Sequence, residues 1–90
     1  METIYTLVKY GKNDFTGHEE IKLIGKVTTD FQTVMQSFYE VIADMNIKPV
    51  TVITRPNVVT AAKMNTANGY KGYCVIKKDV DLKKIIQEEL

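Results

Sequence analysis

One stretch of the sequence spaces its apolar residues as one face of a helix would. Between residues 31 and 45 the apolar side chains recur at i, i+3, i+4 and i+7, at Phe31, Val34, Met35, Phe38, Val41, Ile42 and Met45. The pattern predicts an amphipathic helix over about Asp30–Met45. Thr29 and Gln32 have the spacing of a capping box at its start. A helix with a single apolar stripe must cover another layer, and this excludes an isolated helix.

Two runs of β-forming residues precede this helix. In the first, Thr3–Tyr10, successive side chains would point to opposite faces of a strand, with Tyr5 and Leu7 on one face and Thr6 and Val8 on the other. The second run, Ile21–Thr28, alternates in the same way, and a polar loop that contains glycine separates the two. This order predicts a β-hairpin with a long loop.

Further elements follow the helix. Val50–Thr54 is rich in β-branched residues and predicts a strand, and Tyr70–Lys78 alternates as a strand with Tyr73 and Val75 on one side. Acidic residues at Asp79 and Asp81 precede a final run with apolar residues at helical spacing, which predicts a C-terminal helix.

Residues 58–64 fit two structures. Asn57 can cap a short helix that contains the good helix formers Ala61 and Ala62, whereas Asn68-Gly69 is a strong signal for a β-hairpin turn. The composition favours the short helix slightly, and the choice between helix and strand stays open.

These elements predict the fold class α+β. We expect a two-layer sandwich with a mainly antiparallel sheet of about four strands, covered on one face by two helices, in the order ββαβ(α)βα. Ninety residues, of which 44% are hydrophobic, suit one domain that spans residues 1–90.

Helices on one face would leave the other face of the sheet open. If Tyr5, Leu7, Tyr73 and Val75 point to that open face, they form an apolar patch that a monomer would not leave in water. The patch predicts a protein partner or a second copy of the chain.

Charge is distributed unevenly although the net charge is only +1. Residues 27–47 carry three acids and no Lys or Arg, whereas residues 48–78 carry six cations and no acid. The two segments could pair in a symmetric dimer. Alternatively, the basic segment could hold an anionic ligand, a nucleotide or nucleic acid, through Arg55, Asn57, Lys63, Asn68 and Lys71.

Few side chains offer catalytic chemistry. The chain has one histidine, His18, in a polar loop, and one cysteine, Cys74, within a predicted strand. A catalytic thiol needs a nearby base and a zinc site needs several ligands, so we expect no enzyme activity, no metal and no cofactor. The single cysteine, the absence of a signal-peptide pattern and the lack of an apolar run near ~20 residues predict a cytoplasmic protein without a membrane partner.

Together these observations predict a small, non-catalytic binding or regulatory protein. We expect it to act through protein–protein interaction, as a homodimer. The alternative is a binder of an anionic ligand through the basic segment 54–71.

Overall fold

The computed structural model describes residues 1–45 and 55–89, with Glu89 described by its backbone only. Within these ranges the elements are, in chain order, β1 (Glu2–Asn13), β2 (Glu19–Thr28), α1 (Phe31–Asp44), β3 (Val58–Thr66), β4 (Gly69–Val80) and α2 (Leu82–Glu89). The predicted α+β class is confirmed. The predicted strand Val50–Thr54 lies outside the described residues.

The described strands form one antiparallel sheet in the order β2-β1-β4-β3. Leu7 of β1 pairs with Ile24 of β2 on one side and with Val75 of β4 on the other. Beyond Ile24 the β1–β2 register shifts, and Gly25 takes a positive φ of 74°. β2 is therefore regular up to Ile24 and irregular after it.

Residues 58–64 are part of strand β3, so the slight preference for a helix here was wrong. The strand forms a hairpin with β4, in which Thr66 pairs with Gly69 across Ala67 and Asn68. Ala62 is fully buried opposite Tyr73. Helix propensity at the alanines is a weak preference, and sheet pairing and burial override it.

Helix α1 packs on one face of the sheet. The core cluster consists of Leu7, Val34, Phe38, Ile42, Ala62 and Val75. The side chain of Phe38 is completely buried. The apolar stripe thus covers the central strands, as its spacing predicts.

Helix α1 has the predicted extent but a different cap. Asp30 is the N-cap: its carboxylate accepts hydrogen bonds from the Gln32 backbone N–H at 3.1 Å and from the Thr33 hydroxyl at 2.6 Å. The Thr33 hydrogen bond, together with those from backbone N–H groups, lowers the pKa of Asp30. Assigning the cap to Thr29 was wrong, because the Gln32 N–H, which a Thr29 capping box would use, donates to the Asp30 carboxylate instead.

Helix α2 differs from α1 in its exposure. Only Asp81 separates β4 from α2, so no loop is available to bring the helix back over the sheet. Ile85 and Ile86 remain 47% and 54% exposed. Among the described residues, it is α1 that covers the sheet. The sequence predicted that two helices would cover it, and only α1 does so. Neither of these helices combines the length and the hydropathy needed to cross a membrane, as far as the described residues go.

Candidate functional site

The predicted partner patch does not lie on an open surface. Leu7 and Val75 are 2% and 0% exposed in the core beneath α1, and Tyr5 and Tyr73 pack partly buried against it. The Tyr5 ring meets the Phe31 ring of α1 edge-on, with centroids 5.5 Å apart. The prediction that these residues form an exposed patch was wrong because α1 covers the face to which they belong.

The opposite face of the sheet, here called the far face, carries the residues that alternate with the core. Strand register aligns Tyr10 of β1 with Gly72 of β4, and Gly72 with Lys63 of β3. In the neighbouring row, Cys74 of β4 pairs with Ala61 of β3. Because glycine, alanine and cysteine are small, the far face is lower along β3 and β4 than at the Tyr10 ring.

A groove of about 400 Å³ occupies this low region and is here called the far-face groove. The described residues that line it are Tyr10, Arg55, Val58, Ala61, Lys63, Tyr70 and Cys74. Two of these are cations and none is an acid. The far-face groove is therefore positive and partly apolar, a combination suited to an anion that carries a ring or other apolar group.

Aromatic rings form one end of the far-face groove. The rings of Tyr10 and Tyr70 are 6.3 Å apart and inclined at 61°, an edge-to-face arrangement. The Lys63 ammonium lies 4.2 Å from the centroid of the Tyr70 ring, within cation–π distance. Lys63 is thereby held at the groove while its charge remains available to a ligand.

Arg55 lies beside the start of β3. Its backbone forms an isolated bridge with Val58, and the Val58 N–H donates to the Arg55 carbonyl at 3.1 Å. This tight connection places Arg55 among the residues that line the far-face groove. A guanidinium can bind two oxygens of a phosphate or carboxylate at once.

Two titratable groups in the groove, Cys74 and Tyr10, are kept neutral. Burial raises the pKa of the Cys74 thiol, and burial together with the neighbouring Cys74 and Tyr70 raises the pKa of Tyr10. Both groups therefore stay protonated at neutral pH. A protonated thiol is a poor nucleophile, and neither group can act as a general base there.

Of the five residues predicted for an anionic ligand, the structure brings Arg55 and Lys63 together at the far-face groove. Lys71 alternates with Tyr70 and Gly72 and belongs to the face that α1 covers. The carbonyls of Asn57 and Asn68 accept hydrogen bonds from the N–H groups of Lys77 and Asp14, at the hairpin ends. These last three residues do not line the groove.

Sequence reasoning missed the tyrosines of the groove. Tyr10 and Tyr70 lie on adjacent strands, since Lys12 pairs with Tyr70 and Tyr10 with Gly72. The alternation already placed Gly72 and Cys74 on one face of β4. What the sequence did not show was the register that brings Tyr10 to them and which of the two faces α1 covers.

Other surface features offer less chemistry. A depression of about 560 Å³ along α1 is lined by Phe31, Met35 and Tyr39, and its one charged lining residue among those described is Glu40. His18 is exposed in the β1–β2 loop. In the described part of the chain no three His, Cys, Asp or Glu residues are grouped to hold a metal ion.

Comparisons of the chain with models of protein families, with curated proteins and with solved structures found no match.

Proposed function

We propose that this chain is a small non-catalytic binding protein whose far-face groove takes an anionic ligand with a planar ring, a mononucleotide being the class that fits. One observation carries the proposal. Arg55 and Lys63 converge with the Tyr10–Tyr70 pair on a single groove that no acid lines among the described residues. Cations supply the contact to phosphate, and aromatic side chains supply a surface for a base.

The size and charge of the site favour a small ligand over a long nucleic acid. A volume of about 400 Å³ falls in the range of roughly 300–1,000 Å³ that small-molecule sites occupy. Proteins that bind nucleic-acid backbones usually have a strong basic bias, whereas this chain has a net charge of +1. A mononucleotide requires only the local charge of Arg55 and Lys63.

Binding without catalysis agrees with the state of the groove residues. Tyr10 and Cys74 stay protonated at neutral pH for the reasons given above, and Arg55 and Lys63 are cations that can hold a phosphate in place. We further propose that the protein acts in the cytoplasm, where its single cysteine would stay reduced. The homodimer predicted from the sequence relied on a patch that includes Leu7 and Val75, which lie in the core. We propose a homodimer on other grounds, the exposed edge of β2, in the next section.

Calorimetric titration with AMP and with inorganic phosphate, at low salt, tests this proposal. We expect AMP to bind more tightly than phosphate, because only AMP carries a ring for the tyrosines. Arg55→Ala and Lys63→Ala should each weaken AMP binding by about tenfold, the cost of one lost charged hydrogen bond. Lys71→Ala is the matched control: it removes the same charge as Lys63→Ala, but from the face under α1.

The outcomes separate the alternatives. Equal binding of AMP and phosphate would show a simple anion site and contradict the ring requirement. An equal loss in Lys71→Ala and Lys63→Ala would mean that overall charge, and not the far-face groove, determines binding. A short oligonucleotide that binds far more tightly than AMP would point instead to the nucleic-acid alternative.

A further inference from the structure

Strand β2 has an exposed apolar edge. Of the strands that the structure describes, β1 alone pairs with β2. Ile21 and Leu23 of β2 remain 80% and 58% exposed. An edge strand with exposed apolar side chains is a template for pairing with another strand. We propose that β2 pairs antiparallel with β2 of a second copy of this chain, which gives a homodimer with one continuous sheet.

The regularity of β2 limits the register of this pairing. In a symmetric antiparallel pair, opposite residues share a face of the sheet, so the pairing must centre on one residue. β2 pairs regularly with β1 from Glu19 to Ile24, and the register shifts at Gly25. The middle of the regular part is Ile21 or Lys22, and one of these is the centre.

Charge decides between the two registers. A pairing centred on Lys22 places two lysines directly opposite each other, and like charges in that position destabilise a sheet. A pairing centred on Ile21 places Glu20 of each copy opposite Lys22 of the other. It therefore creates two opposite-charge pairs and one Ile21–Ile21 contact, and this is the register we assign.

The charges within one copy support this assignment. Lys22 lies opposite Lys9 of β1, and the Lys9 ammonium is 3.8 Å from the Glu20 carboxylate. Within the described part of the chain Lys22 forms no ion pair. The second copy would place a carboxylate beside it. Lysines at an edge normally discourage pairing, so Lys22 would disfavour unrelated strands while accepting a second β2.

We expect the proposed dimer to be weak and to place the far faces of both copies on the same side of one sheet. Stable interfaces bury about 1,200–2,000 Å², whereas pairing over Glu19–Leu23 is short, so we expect association at high micromolar concentration. Because Tyr10 pairs with Ile21, the two Tyr10 residues would lie in one row, three strand spacings or about 14 Å apart. Both far-face grooves would then open on the same side of one sheet.

Sedimentation equilibrium of the full chain, from 10 µM to 1 mM at low salt, tests the register directly. Lys22→Glu and Glu20→Lys each make both cross-strand pairs repulsive, and each should weaken dimerisation by about tenfold or more. An equimolar mixture of the two variants restores both pairs and should dimerise at least as well as the wild-type chain. Lys26→Glu is the matched control, since Lys26 lies beyond Gly25 and outside the proposed ladder.

Several outcomes would overturn the proposal. These are a wild-type chain that stays monomeric at 1 mM, a Lys26→Glu variant as impaired as Lys22→Glu, and a mixture that does not associate. Circular dichroism melting checks that each variant folds. If the single variants unfold, the double variant Glu20→Lys/Lys22→Glu keeps the pairing self-complementary and must dimerise. None of these measurements involves AMP, so failure of the dimer and failure of the far-face groove are distinguishable.

Discussion

Tyr10 and Gly72 lie directly opposite each other on β1 and β4, and the Tyr10 hydroxyl is 3.0 Å from the place where a Cβ on Gly72 would be. The ring of Tyr10 can approach the backbone of β4 only because Gly72 has no side chain. The backbone of β3 also approaches this place: the Lys63 Cα is about as close, at 3.1 Å, and the Ala62 carbonyl oxygen is closer still. The absence of a side chain at Gly72 thus permits both the close β3–β4 pairing and the position of the Tyr10 ring, which lines the far-face groove.

Replacing this glycine should destabilise the fold. A Cβ at Gly72 would meet the Ala62 carbonyl oxygen closer than real Cβ atoms come, and would lie 3.1 Å from the Lys63 Cα. We expect Gly72→Ala to lower the free energy of unfolding by about 1–3 kcal/mol, the usual cost of overpacking. Urea denaturation measures it. Gly17→Ala is the control, with open space around its added Cβ and only a positive φ to resist, so its cost should be the smaller of the two.

Neighbouring aromatic residues on α1 should differ sharply in their contribution to stability. Phe38 is fully buried in the core, whereas Tyr39 is 55% exposed and meets the Phe38 ring edge-on. Phe38→Ala should cost about 3–5 kcal/mol of unfolding free energy, and Tyr39→Ala about 1 kcal/mol or less. Thermal and urea unfolding of the two variants compare them. Equal losses would mean that α1 is rotated from the packing described.

The N-cap of α1 gives a test that depends on pH. Hydrogen bonds to its carboxylate, the one from the Thr33 hydroxyl first, lower the pKa of Asp30 below its ordinary value of 3.8. The ionised cap therefore stabilises the fold above pH 3.8, and this contribution is lost as the pH falls through the folded pKa. Asp30→Ala should lower the Tm at pH 7, with a smaller difference from wild type at pH 2. Thr29→Ala should leave the Tm unchanged. A larger loss of Tm in Thr29→Ala than in Asp30→Ala would mean that Thr29, and not Asp30, is the N-cap.

Local patterns in the sequence predicted much of the fold. The apolar stripe from Phe31 to Met45 located α1 within one residue at each end. The alternation in Thr3–Tyr10 and Tyr70–Lys78 identified β1 and β4, although both strands are longer than predicted. Hydrophobic periodicity predicts the type and position of a helix or strand, because these depend on the residues of that one element.

The errors arose where two elements had to be placed against each other. Alternation separates Leu7 from Val8, but it does not say which of the two α1 covers, and the candidate patch was therefore assigned to the wrong face. At residues 58–64 the helix-forming alanines outweighed the hairpin signal, although pairing with β4 determines the structure. The far-face groove needed the register of three strands, which no local pattern contains.

Cys74 gives a second test that depends on pH. Burial raises its pKa above its ordinary value of 9.0, so the folded chain favours the protonated thiol. This contribution is complete below pH 9 and is lost as the pH rises through the folded pKa. Between pH 8 and pH 10.5 the wild-type chain should lose more stability in urea than Cys74→Ala does. The thiol should also react with iodoacetamide more slowly at pH 8 than it does in the unfolded chain, and equal rates would contradict its partial burial.

The far-face groove is tested most directly by mapping AMP binding with amide chemical shifts of the ¹⁵N-labelled chain. The proposed function predicts that AMP shifts the amide signals of Ala61, Lys63 and Cys74, which line the groove, and leaves those of Val34 and Phe38 on α1 unchanged. Saturable shifts confined to the groove strands would establish the site. No shifts at several millimolar AMP in low salt, or shifts centred on α1, would contradict it.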